Sequence, residues 1–318
     1  MRVALTGATG FIGRHVAAHL VARGDEVRAI VRPTSLREAP PGIHVFRAQL
    51  DPRSLVEALT GVDAVVHLAG VVSTTRDDVY RAVNVGGTRA VAEATAAAGA
   101  RLIHISSLAA AGPAPPTKPR LEDDPPDPVN AYGRSKLDGE RIVRSLGGLR
   151  WTILRPGVVY GPGDRAMLPL FRLAARGVLP MVGRRDAAYT LLHVDDLVRT
   201  VEAALNRSAD SEVMFVGHPR PVSTVEILEQ VRSAVGGGAV IVPVPRLLTW
   251  TLAALGDIAG RLSGRPMPLN RRRYVELYAS GFACRVDRLR ERLGVVAQID
   301  LPEGFADAAL WYRTSGRI

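Results

Sequence analysis

Apolar residues fall along the first half of this chain in short, nearly unbroken runs, separated by longer stretches where they return every three or four positions. Runs of the first kind predict strands near residues 2–6, 26–31, 43–47, 63–68, 101–106 and 151–155. The intervening stretches predict helices. One starts near Phe11, a second covers 52–59 with Asp51 as N-cap and Pro52 in the first position, and a third runs from about 77 to 98. Runs this continuous belong to strands buried on both faces, so the alternation predicts an α/β fold with a doubly wound parallel sheet.

The first predicted strand runs directly into Gly7, Ala8, Thr9, Gly10, Phe11, Ile12 and Gly13. In a strand–turn–helix setting the first glycine permits the tight turn, the second lets backbone approach a pyrophosphate, and the third allows close packing of the helix. The helix N-terminus then offers free N–H groups to a dinucleotide phosphate, and the sheet reads as Rossmann-type. Gly24-Asp25 turns the chain into the second strand, after which Arg32 stands where an acidic residue would hold an unphosphorylated ribose. Arginine favours a 2′-phosphate, so the expected cofactor is NADP(H) ahead of NAD(H), with Ser35 and Arg37 near enough in sequence to help.

With 318 residues and 47% hydrophobic composition, the chain can build one such sheet and a smaller lobe. The division expected is a dinucleotide-binding domain over 1–160 and a substrate lobe over 161–318, the latter interleaved with the last sheet elements. The net charge of +10 comes from arginines scattered through helices, without a basic tail or aromatic stripe, which argues for solvated surface and against nucleic acid. Only Lys118 and Lys136 are lysines. Cys284 is the single cysteine and no Cys/His cluster has metal-ligand spacing, so a reducing cytoplasm without a signal peptide is expected, and no metal. Residues 247–262 are apolar but short and interrupted by Asp257, which predicts a buried or interfacial helix with at most weak membrane-surface contact. A homodimer is compatible with these features.

The candidate chemistry follows a segment, 113–128, that carries seven prolines and several acids and must be a loop. Immediately after it, Tyr132 and Lys136 stand four apart at the start of a helical stretch and so share a face. A cation beside a phenol lowers its pKa toward a range useful for proton exchange with a substrate oxygen. Ser106 and Ser107 end the strand before the loop, at the sheet edge where α/β ligands bind.

Together with His67-Leu68-Ala69-Gly70, Asn84 to Thr88, Arg155 to Asp164 and His193 to Asp196, these segments make the chain resemble the extended short-chain dehydrogenase/reductase family. That family includes sugar-nucleotide epimerases and dehydratases, 3β-hydroxysteroid dehydrogenases and dihydroflavonol reductases, and this chain resembles the steroid and flavonol branch. The resemblance implies Tyr132 as proton donor or acceptor, Lys136 holding the nicotinamide ribose while lowering the phenol's pKa, and Ser107 polarising the reacting oxygen. It implies a cofactor lined by the glycine loop and by Leu68, Ala69, Gly70, Ile105, Ser106, Pro156 and Val158. Asn84 would brace the central helix.

Two departures from the family pattern refine the picture. Gln49-Leu50 stands where an Asp and an apolar residue usually grip adenine, a contact Gln49 can still make by hydrogen bonding. Tyr189-Thr190-Leu191 stands where sugar-nucleotide members carry an arginine for the diphosphate. The reading is an NADP(H)-dependent oxidoreductase that interconverts a ketone and a secondary alcohol on a small, largely apolar molecule. The expected walls of its substrate lobe are 166–179, 242–262 and 267–278. A sugar-nucleotide epimerase or dehydratase, with transient hydride transfer, and a non-catalytic dinucleotide-binding protein are the alternatives.

Overall fold

The computed structural model describes residues 1–207, 209–264 and 267–318. In chain order the elements that position the site are β1 (Arg2–Thr6), α1 (Phe11–Ala22), β2 (Glu26–Val31), β3 (His44–Arg47), α2 (Pro52–Leu59), β4 (Ala64–His67), α3 (Gly87–Ala97), β5 (Arg101–Ile105), α4 (Ala131–Ser145), β6 (Arg150–Pro156), α5 (Val194–Asn206), β7 (Glu212–Val216), α6 (Arg246–Ser263), α7 (Arg271–Leu277) and α8 (Leu301–Thr314). The seven labelled strands form one parallel sheet in the order β7-β6-β5-β4-β1-β2-β3. The order reverses beside β1, so the carboxyl ends of β1 and β4 open the crevice where such sheets take ligands.

Successive strand residues serve opposite cores. Val3, Leu5 and Ile103 pack against Val16 and Leu20 of α1 and Leu197 and Val201 of α5 on one face. On the other, Ala4, Val65 and Leu102 meet Leu55 and Leu59 of α2, Val91 of α3 and Val143 of α4. Helices cover both sides, which is why the strands read as unbroken apolar runs. Asp51 caps α2 as expected, accepting the Ser54 N–H at 3.0 Å.

The structure corrects two sequence expectations and locates a strand that was expected without a position. The single helix expected over 77–98 is instead a short turn of helix, Asp77–Tyr80, a π-helical turn, Arg81–Gly86, and α3. The wide turn lets Asn84 leave the helical ladder and bond to neighbouring segments, as π-bulges at functional sites often do. The last sheet element expected within 161–318 is β7, whose run opens on Glu212 and pairs with β6 from Thr152 to Pro156. The stretch 166–179 does not form a free wall, because Leu168, Phe171, Ala174 and Leu179 are buried in an apolar cluster with Tyr160, Phe305 and Tyr312. Aromatic edges make that cluster dense: the Phe171 ring lies 4.9 Å from Tyr312, and Tyr160 lies 4.9 Å from Phe305.

The proline-rich segment 113–128 is a loop held at both ends. Ala114 bridges Phe282 and Arg120 bridges Cys284, while the Asp127 N–H donates to Ala111 at 2.9 Å. Lys118 is exposed at its tip. The segment His193 to Asp196 also acts as a tie, because buried Asp196 accepts the N–H groups of Gln298 and Ile299 at 2.9 and 3.1 Å.

The fit of α1 against β1 leaves no room for a side chain at Gly13: a Cβ there would lie 2.1 Å from the Gly7 carbonyl oxygen. Gly13→Ala is therefore expected to destabilise the fold by roughly 1–3 kcal/mol, as overpacking against fixed backbone does, and to weaken dinucleotide binding. Urea unfolding and a cofactor titration check both effects.

Candidate active site

The crevice begins at the glycine turn. Gly7 has φ 76°, and a Cβ on it would lie 2.8 Å from both the Leu68 carbonyl carbon and the Ala69 nitrogen. Glycine is required there so that β1 and β4 can end in backbone contact. The α1 N-cap is Gly10, with no side-chain capping bond and no acidic residue in the first turn, so the first N–H groups face the crevice without a side-chain acceptor. Thr6 joins the strand ends, its hydroxyl 2.7 Å from His67 Nδ1 and accepting the Ala69 N–H at 3.2 Å. A backbone cradle that any Cβ would fill, beside an uncapped helix start, fits a dinucleotide pyrophosphate.

The cofactor residues named from the sequence lie around this cradle. Leu68 and Ala69 are half-buried and Gly70 is exposed, with the Asn84 Oδ1 lying 3.3 Å from where a Gly70 Cβ would stand. Leu50 packs beside Gly87, whereas Gln49 is exposed. Arg32 is exposed just past β2, and its side chain has no partner among the described residues. Its carbonyl accepts the Ser35 N–H at 2.9 Å, and the Ser35 hydroxyl accepts the Arg37 N–H at 3.3 Å. Pro156 is buried at the end of β6, and Val158 is exposed beyond it.

Ser107 and Tyr132 are brought together by two turns packed backbone to backbone. Asn130 caps α4 by accepting the Gly133 N–H at 2.7 Å, and a Cβ on Gly133 would lie 2.3 Å from the Ala109 carbonyl oxygen. That contact seats the start of α4 on the 3-10 turn Leu108–Ala110, which follows Ser107. The Ser107 hydroxyl, which accepts the Ala109 N–H at 3.2 Å, lies close enough to the Tyr132 phenol to favour its ionised form.

The electrostatics differ from the expectation. Burial pushes the Tyr132 phenol up to about 12, with the nearby Ser107 hydroxyl pulling the other way and Tyr80 and Glu276 adding to the rise. Lys136 is not among the groups that shift the phenol; its ammonium donates to the Ile105 carbonyl at 2.7 Å. Burial pulls Lys136 itself down to about 8, against the favourable charge of Glu140. Ser106 is likewise not free to face a cofactor with its side chain: its hydroxyl donates to Glu140.

Glu140 is the residue the sequence reading missed. Its carboxylate forms two bonds with the Arg155 guanidinium, at 2.9 and 2.6 Å, and both side chains are almost fully buried. Arg155 also lies over the Phe215 ring at 5.6 Å. The signal was present, since Tyr132, Lys136 and Glu140 repeat at four-residue intervals along one helix face. Asn84 adds a second tie, donating to Ser135 Oγ and to the Val71 carbonyl at 2.9 Å each and accepting the Val71 N–H at 2.8 Å.

Beneath the strand ends, His67 and His104 stack at 5.3 Å. Burial and the nearby Lys136 charge push His67 down to about 3 and also lower His104, so both imidazoles are neutral. Cys284 is no nucleophile: burial pushes its thiol up to about 12.

Above the phenol, the Tyr80 ring lies 6.2 Å from Tyr132, and Arg272 of α7 stacks on Tyr80 at 5.9 Å. Arg272 is paired with Asp77 at 2.5 Å and donates to the Thr74 carbonyl. Glu276 accepts from Asn130 and so ties α7 to the start of α4. Tyr189 stacks on Phe282. Of the expected wall over 267–278, α7 is thus beside the site, while Leu247, Leu255, Ile258 and Leu262 of the expected wall over 242–262 are exposed. Arg265 and Pro266, which separate the two stretches in sequence, lie outside the described residues.

A dinucleotide cradle joined to a Ser/Tyr/Lys constellation at the ends of β5 and α4 defines an extended short-chain dehydrogenase/reductase. The chain belongs to the NAD dependent epimerase/dehydratase family, which matches it over residues 3–217. It is 31% identical to a ceramide reductase of Caulobacter vibrioides, over 99% of this chain and 95% of that protein. It is also 31% identical to a sterol demethylase protein B of Methylococcus capsulatus, over the full length of both. Among solved structures it is similar to MoeE5 in complex with UDP-glucuronic acid and NAD, at 27% identity and a TM-score of 0.79, covering 99% of this chain and 100% of that one.

Two measurements probe this arrangement. Glu140→Gln leaves Arg155 buried without its counter-charge and is expected to cost about 3–5 kcal/mol in urea unfolding. Lys136→Met is expected to raise stability at neutral pH, because a buried ammonium is removed. The folded pKa of Lys136 is about 8 against an unfolded value near ~10.4, so between these pH values the unfolded chain holds a proton the folded one has lost. The wild type therefore gains on the variant as pH rises through that window, by on the order of a few kcal/mol. A difference in unfolding free energy that stays constant from pH 7 to ~10.5 would exclude this assignment.

Proposed function

We propose that the protein is an NADP(H)-dependent reductase that converts a ketone on a largely apolar substrate to a secondary alcohol, and the reverse. The observation that carries this reading is the Tyr132 phenol, placed beside the Ser107 hydroxyl and held protonated through the neutral range. When bound, the nicotinamide supplies or accepts the hydride. Ser107 orients the carbonyl oxygen, and Tyr132 gives its proton to the developing alkoxide as general acid. Lys136, cationic below about 8, donates to the ribose and through it positions the ring. Among cofactor contacts, Gly7, Gly10 and Gly13 admit the pyrophosphate, and the unpartnered Arg32 takes the 2′-phosphate with Ser35 and Arg37 beside it.

The apolar substrate is supported by Tyr189, which stands where sugar-nucleotide members carry an arginine and stacks on Phe282. Arg272, the arginine beside the phenol, is already committed to Asp77. Both full-length relatives described above bear names of lipid chemistry, ceramide and sterol. A cytoplasmic setting belongs to the same proposal; among the described residues no helix is long and apolar enough to cross a membrane. The similarity to MoeE5 with its UDP-sugar favours a second reading, sugar-nucleotide epimerisation or dehydration.

Cofactor consumption separates the two. Keto-steroids, ketoacyl compounds and flavanonols are expected to oxidise NADPH stoichiometrically, whereas turnover of a UDP- or dTDP-sugar on catalytic cofactor would establish the second reading. Tyr132→Phe is expected to lower turnover by on the order of 10²-fold or more with cofactor affinity nearly intact. Titrations are expected to place NADPH ahead of NADH, and Arg32→Ala is expected to remove that preference; equal affinities in the wild type would refute the assignment of the 2′-phosphate.

A further inference from the structure

α6 is amphipathic in an unusual sense: its packed face is made of small residues and its outward face of large apolar ones. Thr249, Ala253 and Gly260 are buried, and a Cβ on Gly256 would lie 2.0 Å from the Leu269 carbonyl oxygen. These four positions fall on one side of the helix, so the direction in which α6 packs is unambiguous. Leu247, Leu248, Leu252, Leu255, Ile258 and Leu262 share the opposite arc, about 140° wide at ~100° per residue, and are from 45% to 85% exposed. Thr251 also falls on this arc, its hydroxyl turned back onto the Leu247 carbonyl at 2.9 Å; an exposed, largely apolar face of this kind marks an interaction surface.

The charge around it selects the occupant. Residues 246–278 carry six arginines against two acids, Asp257 and Glu276. Arg246 and Arg261 flank the apolar arc on the same side as Trp250, and Arg271 of α7 lies over the Trp250 ring at 5.7 Å. Arg261 has no partner among the described residues, and Arg246 is held only by the Tyr274 hydroxyl and the Tyr278 ring. Leucines in the centre, a half-exposed tryptophan at the margin and arginines beside it match the layers of a bilayer surface: acyl chains, interface and anionic headgroups.

We propose that α6 docks this protein onto an anionic lipid surface, lying in the plane of the interface with its leucine face inserted. α7, which α6 packs against, carries Arg272 over Tyr80 and ties Glu276 to Asn130 at the head of α4. The docked face is thus one helix away from the phenol. Docking does not depend on which ketone is reduced, and its readout is separate from activity.

The test is co-sedimentation of the full chain with vesicles of phosphatidylcholine, with and without phosphatidylglycerol. Binding is expected to the mixed vesicles and to fall as salt is raised. The double change Leu255→Asp with Ile258→Asp is expected to reduce it at least about tenfold, with thermal melt and cofactor titration unchanged. Arg246→Gln with Arg261→Gln is expected to weaken it by about fivefold per charge, on anionic vesicles only. Absence of binding to the mixed vesicles, or equal binding to neutral ones, would overturn the proposal. So would light scattering that shows a dimer without vesicle binding, turned to monomer by the aspartate pair, since the leucine face would then cover a second copy.

Discussion

The site depends on one buried ion pair. Glu140 takes the Arg155 guanidinium with both oxygens and the Ser106 hydroxyl as well, so a single carboxylate joins α4 to the ends of β5 and β6. Burying two charges is costly unless the geometry is good, and here both carboxylate oxygens meet the guanidinium through Nε and Nη2. A greasy contact in the same place would hold the helix against the sheet, but it would not specify its rotation. The carboxylate does, and a helix rotated by one position would take Tyr132 away from Ser107.

Burial, more than neighbouring charge, sets the protonation of the groups around this pair. It drives the Tyr132 phenol up and the Lys136 ammonium down, and it keeps His67 and His104 neutral beneath them. The low-dielectric setting strengthens any hydrogen bond made there. The second lobe contributes to that setting through α7, whose Glu276 reaches the cap of α4, and through the strand Gly281–Phe282, which pins the proline-rich loop. Loop, lobe and sheet therefore meet at the head of one helix.

Much of this was legible in the sequence, for identifiable reasons. Strands buried on both faces leave runs such as Ala64 to His67 that nothing else explains, and Gly7, Gly10 and Gly13 announce a backbone contact that the structure contains. What stayed hidden depends on tertiary contacts. The segment Arg81 to Gly86 has an ordinary helical pattern, and only the bonds of Asn84 to Val71 and Ser135 mark it as a π turn. Spacing placed Tyr132 and Lys136 on one face but could not show that the ammonium would turn to Ile105. On α6 the apolar residues alone do not tell inside from outside; the small residues at 249, 253, 256 and 260 do.

The chain's near-exclusive use of arginine has a consequence for its reactivity. Two ε-amines are present, and one of them, Lys136, is buried against a carbonyl. Acylation, reductive methylation or isopeptide formation at lysine thus has one open address, Lys118, in the loop strapped to the strand beside the site. A label placed there by simple amine chemistry would report on that strap without any engineered attachment point.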